Sequence, residues 1–590
     1  MKRNLNRLMG LLLTIALAIG LMAGMSITAL AESNDTEDAL QEKAGSSIMS
    51  VRADLLVLGN VITMDEHKPH AEAVAVQGDK ILYVGAAEVA KKLCDENTKV
   101  YDYGKNSVYP GFLEAHCHPG GAGLKMTAIA QLDRNASLEE CVQFMKEYME
   151  AHPEKTIFQG VGFEEHEVAP NASMLDKICT DKIMILQDTG GHSAWMNTKA
   201  METYGINKEA VEKWGTACVR VDENGNPTGY ISEGPLFEIR NKMQYTLEEV
   251  KNALLAWQDY ALSCGYTGAY NAGVELVTSL EPEAYYALEK EGKLKHYNFS
   301  GSMIQDNTDT PEDDIERIVK EAKEHNSKHY KILGAKVFCD GVVEGHTAWV
   351  LDEYIDQPGF HGVSRFDDHE KMVRLLKAAS KHGLNAHIHT IGDAAVKAWV
   401  DAIAEAEEAT GDFDRRFALA HLQVVRPEDI RRIGEYNIIA VAGMMWVMKT
   451  YAEFETMVKY LGEDKAYGGQ LVKSFQDQGA VVVSHSDFPV SPSFSVPWAV
   501  CLGSLGYQPS MGKEMLRHPQ ENLSRIDTLK VLTTNVAYSW HEEDRMGSLE
   551  VGKLANISVF DKDFLKDSFE EIENAKCLAT FVDGEQVYKA

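Results

Sequence analysis

No two cysteines in this chain stand in a Cys-x-x-Cys spacing, and the nine present are odd in number and widely scattered. That pattern excludes a disulfide framework and a paired-thiol metal knuckle. Positive charge is also in short supply. With 58 Lys and Arg against 89 Asp and Glu, the formal net charge is −31. So acidic a chain is not built to hold nucleic acid or an anionic membrane surface. No solenoid repeat is found. What remains is an ordinary globular composition, 45% hydrophobic and 25% charged over 590 residues, enough for one large domain and a smaller one.

The N-terminus reads as a processing signal. Lys2, Arg3 and Arg7 precede an apolar stretch from Leu8 to Leu30, and Ala29-Leu30-Ala31 supplies a small-x-small cleavage pattern before Glu32. The expectation is a signal peptide over 1–31 and an exported, secreted or extracytoplasmic protein, although the stretch is long enough for an uncleaved anchor. No cysteine lies at the junction, which argues against a lipoprotein. Residues 32–48 are small and polar and read as a flexible leader. Free thiols in an exported protein imply deep burial or a reducing habitat.

Two segments far apart in sequence look short-stranded. One is 49–108, where Gln77-Gly78-Asp79 reads as a hairpin turn between alternating runs, and the other is 546–590. Neither holds enough apolar residues for a core alone, so both ends of the mature chain are expected to form one small β-sandwich domain. Between them apolar β-like runs alternate with helical patterns, the sign of a parallel sheet. Thr246-Leu247-Glu248-Glu249 is a capping box opening a long helix that ends near Cys264-Gly265. Helical patterns at 367–382, 393–409, 427–436 and 468–478 separate the later runs. The rhythm predicts an α/β fold, a (β/α)8 TIM barrel over 109–545, with an insertion around 200–235. The first half offers more β-like runs than the barrel needs.

In such a barrel, strand C-termini converge on one face, where active sites sit. His116-Cys117-His118 closes an apolar run, and residues i and i+2 on a strand share a side. Lys336, His389, His421 and Asp487 end further runs. His387 shares a face with His389, so either can be the ligand. Nitrogen donors with one carboxylate suit Zn2+, with Mn2+, Fe2+ or Ni2+ also accommodated.

The chain resembles the metal-dependent amidohydrolase superfamily, and within it the YtcJ-like or "amidohydrolase 3" group. Pro110-Gly111-Phe112-Leu113-Glu114-Ala115-His116-Cys117-His118 is similar to the superfamily's Pro-Gly-Phe-Ile-Asp-x-His-x-His, and Gly191-His192-Ser193-Ala194-Trp195-Met196-Asn197 to the group's substrate-side loop. Lys336-Val337-Phe338-Cys339-Asp340-Gly341, His389-Thr390-Ile391-Gly392-Asp393, Ala420-His421-Leu422-Gln423, Ser486-Asp487-Phe488-Pro489-Val490 and the tail from Gly547 to Ala555 follow in the family's order. Glu114 stands where Asp is usual, Asn556 replaces the tail Asp, and Val441-Ala442-Gly443-Met444-Met445-Trp446 departs from the usual Gln-Pro, which suggests a more apolar pocket.

The resemblance implies one or two divalent metal ions on His116, His118, Lys336, His389, His421 and Asp487, and selects His389 over His387. It implies that Lys336 is carboxylated to a bridging carbamate, with Glu233 as the alternative bridge. Asp487 is the expected proton acceptor, His421 or His192 the oxyanion stabiliser, and His192 with Trp195 the substrate contacts. The expected activity is hydrolysis of a non-peptide C–N bond in an amide, formamide or cyclic amide by a metal-activated water. A single-metal deaminase needs only His116, His118, His389 and Asp487; a non-catalytic exported binding protein is the third reading. The expected partner is a small-molecule substrate, with a homo-oligomer as an open second; neither nucleic acid nor a stable membrane partner is expected.

Overall fold

Eight parallel strands form the centre of the molecule: β1 (Phe112–Cys117), β2 (Tyr266–Asn271), β3 (Tyr297–Met303), β4 (Tyr330–Phe338), β5 (Asn385–Thr390), β6 (Ala418–His421), β7 (Ile439–Ala442) and β8 (Val482–Ser484). They pair in chain order from β1 to β8. Past the end of β8 the chain closes the ring on β1: the Asp487 N–H donates to the His116 carbonyl (3.0 Å) and the His118 N–H to that of Phe488 (2.8 Å). The fold is the expected TIM barrel. The computed structural model describes residues 52–590 except 154, 165–168, 189–192, 217, 233, 244, 274–279, 450 and 492. The expected signal peptide and leader therefore lie outside the described residues, as do His192 and Glu233.

Burial explains why these runs read as continuously apolar. β1, β2 and β5 to β8 are buried at every position, because the barrel interior covers one face and a ring of helices the other. The capping box is present: Thr246 Oγ1 accepts from the Glu249 N–H while Glu249 receives the Thr246 N–H, and the helix it opens spans Leu247–Ser263. That helix buries Val250, Leu254, Trp257 and Ala261 against the barrel. It crosses the helix Pro119–Thr127 so closely that a Cβ on Gly123 would lie 2.0 Å from the Ala253 carbonyl oxygen. Any side chain at Gly123 forces the two helices apart. The four later helical patterns appear as His369–Lys381, Asp393–Thr410, Pro427–Glu435 and Val472–Asp477.

Both chain ends meet in one seven-stranded sheet, whose neighbours run in the order Glu585–Lys589, Cys577–Val582, Ile557–Phe560, Lys99–Pro110, Leu55–Ile62, His70–Gln77 and Lys80–Gly85. Val74 and Val84 from one side of the sheet and Ala579 and Phe581 from the other share a single core, so the sheet folds over itself as a small sandwich. The segment expected as an insertion around 200–235 belongs to a larger unit between β1 and β2. There, six strands from Ile129–Gln131 to Pro227–Ser232 form a separate sheet with its own core. No described helix is long and apolar enough to cross a membrane.

One buried acid gives the fold a pH dependence. Glu407, on the helix Asp393–Thr410, is 1% exposed, its Oε2 has no hydrogen-bond partner, and burial pushes its carboxyl up to about 8. The unfolded chain ionises this group near the ordinary value while the folded one keeps its proton. Stability from this group is therefore present at low pH and lost as pH rises through about 8. Glu407→Gln should stabilise the protein by about 2 kcal/mol at pH 8 and by almost nothing at pH 4. Thermal melts of both proteins at the two pH values check this; equal shifts at both would refute it.

Candidate metal centre

Every expected ligand among the described residues lies at the C-terminal edge of a barrel strand. His116 is in β1 and His118 one residue past it; Lys336 is in β4, His389 in β5, His421 ends β6, and Asp487 follows β8. Strand register carries them together, with Lys336 beside His387, and Thr390, the residue after His389, beside His421. His421 (φ 79°) and Asp487 (φ 55°) are both left-handed. Such backbone costs about 1–3 kcal/mol at each non-glycine residue. Here it turns both side chains inward, and the Leu422 N–H to Thr390 carbonyl bond (3.0 Å) and the Asp487–His116 bond hold it.

The geometry is that of one cluster. Asp487 Oδ1 lies 2.9 Å from His118 Nε2 and 3.2 Å from His116 Nε2. The His116 and His421 rings are 4.7 Å apart, and those of His389 and His421 4.6 Å. Donor atoms of His116, His421 and Asp487 lie within 4.8 Å of one another. Burial holds the His116 and His421 imidazoles far below their usual value, so they are neutral and their lone pairs are available. Burial alone would raise Asp487, but the His118 hydrogen bond and the imidazoles around it hold the carboxyl well below the usual carboxylate range. Burial pulls Lys336 down to about 7.

Four buried atoms of the expected ligands have no hydrogen-bond partner: His116 Nε2, His118 Nδ1, His421 Nδ1 and Lys336 Nζ. Buried polar atoms are ordinarily paired. Unpaired neutral imidazoles around an ionised carboxylate form the donor set of a divalent cation, so the residues fit the group. A cavity of about 700 Å³ opens on this cluster, walled by Phe338, Ile391, Met445, Trp446 and Trp498. Met445 and Trp446 come from the stretch where the sequence departs from Gln-Pro.

A second layer orients the ligands. Asp340 accepts from His389 Nδ1 (3.0 Å) and from the backbone N–H groups of Gly392 (2.9 Å) and Trp349 (3.0 Å). Glu114 accepts from the backbone of His116 and of Ser486 (both 3.0 Å), and burial raises its carboxyl to about 8. His387 is not a competitor of His389. Its Nε2 lies 2.8 Å from His116 Nδ1, and Tyr270 stacks on its ring at 4.6 Å. With the proton on His116 Nδ1, His116 Nε2 keeps the lone pair a metal needs. His387→Ala should weaken metal affinity by about 10–100-fold, read by chelator competition; an unchanged affinity would remove His387 from this role.

Trp195, expected to touch substrate, lies elsewhere. Its indole is fully buried in the core of the inserted sheet and donates to the Asn171 carbonyl (2.7 Å). The apolar strand Ser193–Met196 directs it inward, away from the barrel cavity. His485 is a member of the cluster that sequence reasoning missed. Its ring is 4.9 Å from His421 and 5.2 Å from His116, with both nitrogens buried and unpartnered and burial lowering it to about 4. The signal was available, since His485 and Asp487 repeat the i, i+2 spacing of His116 and His118.

A barrel of this form with this donor cluster has the architecture of a metal-dependent enzyme. A model of the amidohydrolase family matches residues 99–588, and the chain belongs to that family. Its reaction class is hydrolysis of carbon–nitrogen bonds. Among similar proteins, N-substituted formamide deformylase of Arthrobacter pascens is 25% identical over 576 residues, 91% of this chain and 98% of that protein. Protein LONG AFTER FAR-RED 3 of Arabidopsis thaliana is 27% identical over 555 residues, 91% of this chain and 92% of that protein. In fold, the chain is similar to an uncharacterized metal-dependent hydrolase of Pyrococcus furiosus, with a TM-score of 0.71 at 23% identity over 87% of this chain and 100% of the other.

Proposed function

We propose that the protein is an exported hydrolase of a non-peptide amide, an N-substituted formamide, N-acyl amine or cyclic amide, whose nitrogen carries an apolar substituent. The observation that carries this reading is the apolar-walled cavity opening on the His, Lys and Asp cluster. A pocket of that size suits a small molecule. Its floor supplies the polar chemistry and its walls bury a hydrocarbon group. The formamide deformylase among the similar proteins makes N-substituted formamides the first compounds to test.

His116, His118, His389, His421 and Asp487 would hold the cation, with Lys336 added as its carbamate, and Zn2+ is the ion the nitrogen-rich set favours. Bound there, a divalent ion supplies Lewis acidity and a water that ionises near neutral pH. Asp487 takes the proton of the attacking water and returns it to the leaving nitrogen. In a single-ion centre that leaves His421 uncoordinated, its ring faces the cavity and donates to the oxygen on which charge develops. Phe338, Trp446 and Trp498 exclude bulk water from the acyl group.

The test is a metal count on the mature protein, paired with release of free amine from a panel of formamides, N-acyl amines and cyclic amides. Turnover abolished by a chelator and restored by Zn2+ is expected. Metal-replete protein that cleaves none of these classes, or cleaves them unchanged by chelator, overturns the reading.

A further inference from the structure

One charged side chain in the cavity has no part in the chemistry above. Glu344 lines the same cavity as the metal-type cluster but is exposed to solvent at its mouth, beside the exposed Val342 and Val490. Its turn is rigidly built. The Gly341 N–H donates to the Thr347 carbonyl (2.9 Å), the Val342 N–H to Thr347 Oγ1 (2.9 Å), and the His346 N–H to the Val343 carbonyl (3.0 Å). The loop's far end is tied to Asp340 through the Trp349 N–H. The backbone that carries Glu344 is therefore held at the rim.

Among the described residues no cation pairs with it. Lys336 lies buried at the floor, and Arg365, near Phe338, is hydrogen-bonded to Asp306 (2.8 Å). The concave wall raises the Glu344 carboxyl from its ordinary value, the direction a missing cationic neighbour allows. Phe338, Ile391 and Trp446 line the same cavity, which also carries the neutral polar side chains of Gln423, Ser491 and Ser493. The cavity thus runs from an exposed carboxylate to a buried cluster of His116, Lys336 and Asp487, with a mainly apolar lining.

We propose that Glu344 is a specificity-determining residue that binds an ammonium group at the distal end of the substrate, so that the preferred compound is an amide whose nitrogen substituent is an alkyl or aryl spacer ending in a cation. This rests on the amide-hydrolase reading only for where the scissile bond lies. The ion pair is partly solvated, which limits the discrimination it provides to about fivefold. It is also weakened by added salt.

The test compares 6-formamidohexylamine with 6-formamidohexanol, which share a spacer and differ in terminal charge. In the metal-loaded protein, kcat/KM should favour the amine about fivefold at low salt, and Glu344→Gln should bring the ratio to one. Glu344→Lys should reverse the sign of selection, favouring 6-formamidohexanoate over the amine, a gain that misfolding cannot mimic. Calorimetric binding of 1,6-diaminohexane against 1,6-hexanediol supplies the second readout. A binding preference for the diamine that Glu344→Gln abolishes, with no formamide cleaved, upholds the cation site and overturns the formamide reading. Equal binding of the two ligands, or selectivity unchanged in both variants, overturns the role of Glu344.

Discussion

Replacing Asp487 by Asn should lower kcat by about 10³-fold while the protein stays folded. The side chain is isosteric and is held by its neighbours rather than by packing alone. Its Oδ1 lies 2.9 Å from His118 Nε2 and 3.2 Å from His116 Nε2. An amide oxygen can still receive the His118 hydrogen bond, so the strained backbone at φ 55° keeps its tie to His116. What the amide cannot do is accept a proton. The imidazoles around it keep the native carboxylate ionised across the working pH range. In the Asp487→Asn protein the proton of the attacking water has no acceptor at that position, and the leaving nitrogen no donor. The measurement is kcat on the best substrate of the panel, with a thermal melt and a metal count alongside. Near-native turnover with metal retained would move the proton transfer to another residue. A lost metal with an intact melt would show Asp487 acting first as ligand.

The parts of this centre that were legible in the sequence share one property: they lie at strand ends, where a 2-residue period and an abrupt polar residue are both visible. His116 and His118, His389, His421 and Asp487 each follow an apolar run, and the barrel topology alone makes such ends converge. The inserted sheet was not legible in extent. Its strands Ile157–Phe163 and Ile183–Asp188 are parallel and separated by a short helix, the same local rhythm as a barrel unit. Periodicity reports which face of a strand is buried, not which sheet it joins. Trp195 illustrates the consequence, because a motif beside a substrate-type loop placed its indole in a core. His485 escaped for a different reason, as a spare imidazole beside a better candidate; His387 was named only as the rival of His389, and only the fold shows it meeting His116 at 2.8 Å.

Under the proposed carbamate role, removing the Lys336 amine should cost about 10²–10³-fold in turnover and reduce the bound metal. Lys336 is fully buried, its Nζ has no hydrogen-bond partner, and it lies 4.7 Å from the Phe338 ring. A protonated amine there would repel any cation on the neighbouring imidazoles. Burial, which brings the group down to about 7, leaves much of it as free amine near neutral pH, the form that adds CO2 to become an anionic carbamate. Metal loading of apo-protein should therefore be accelerated by bicarbonate in the native chain but not in Lys336→Ala, and a short carboxylic acid such as propionate should restore part of the variant's activity. Lys336→Met keeps the volume and separates lost chemistry from a cavity effect. Its stability gives an independent sign. In metal-free protein the folded amine sits at about 7 and the unfolded one near its ordinary ~10.4. The unfolded state then binds more protons across that window, so native stability rises with pH from about 7 to about 10 by a few kcal/mol. The Met variant lacks that rise. A bicarbonate-independent native protein whose metal-free stability tracks Lys336→Met at every pH would leave Lys336 a buried bystander.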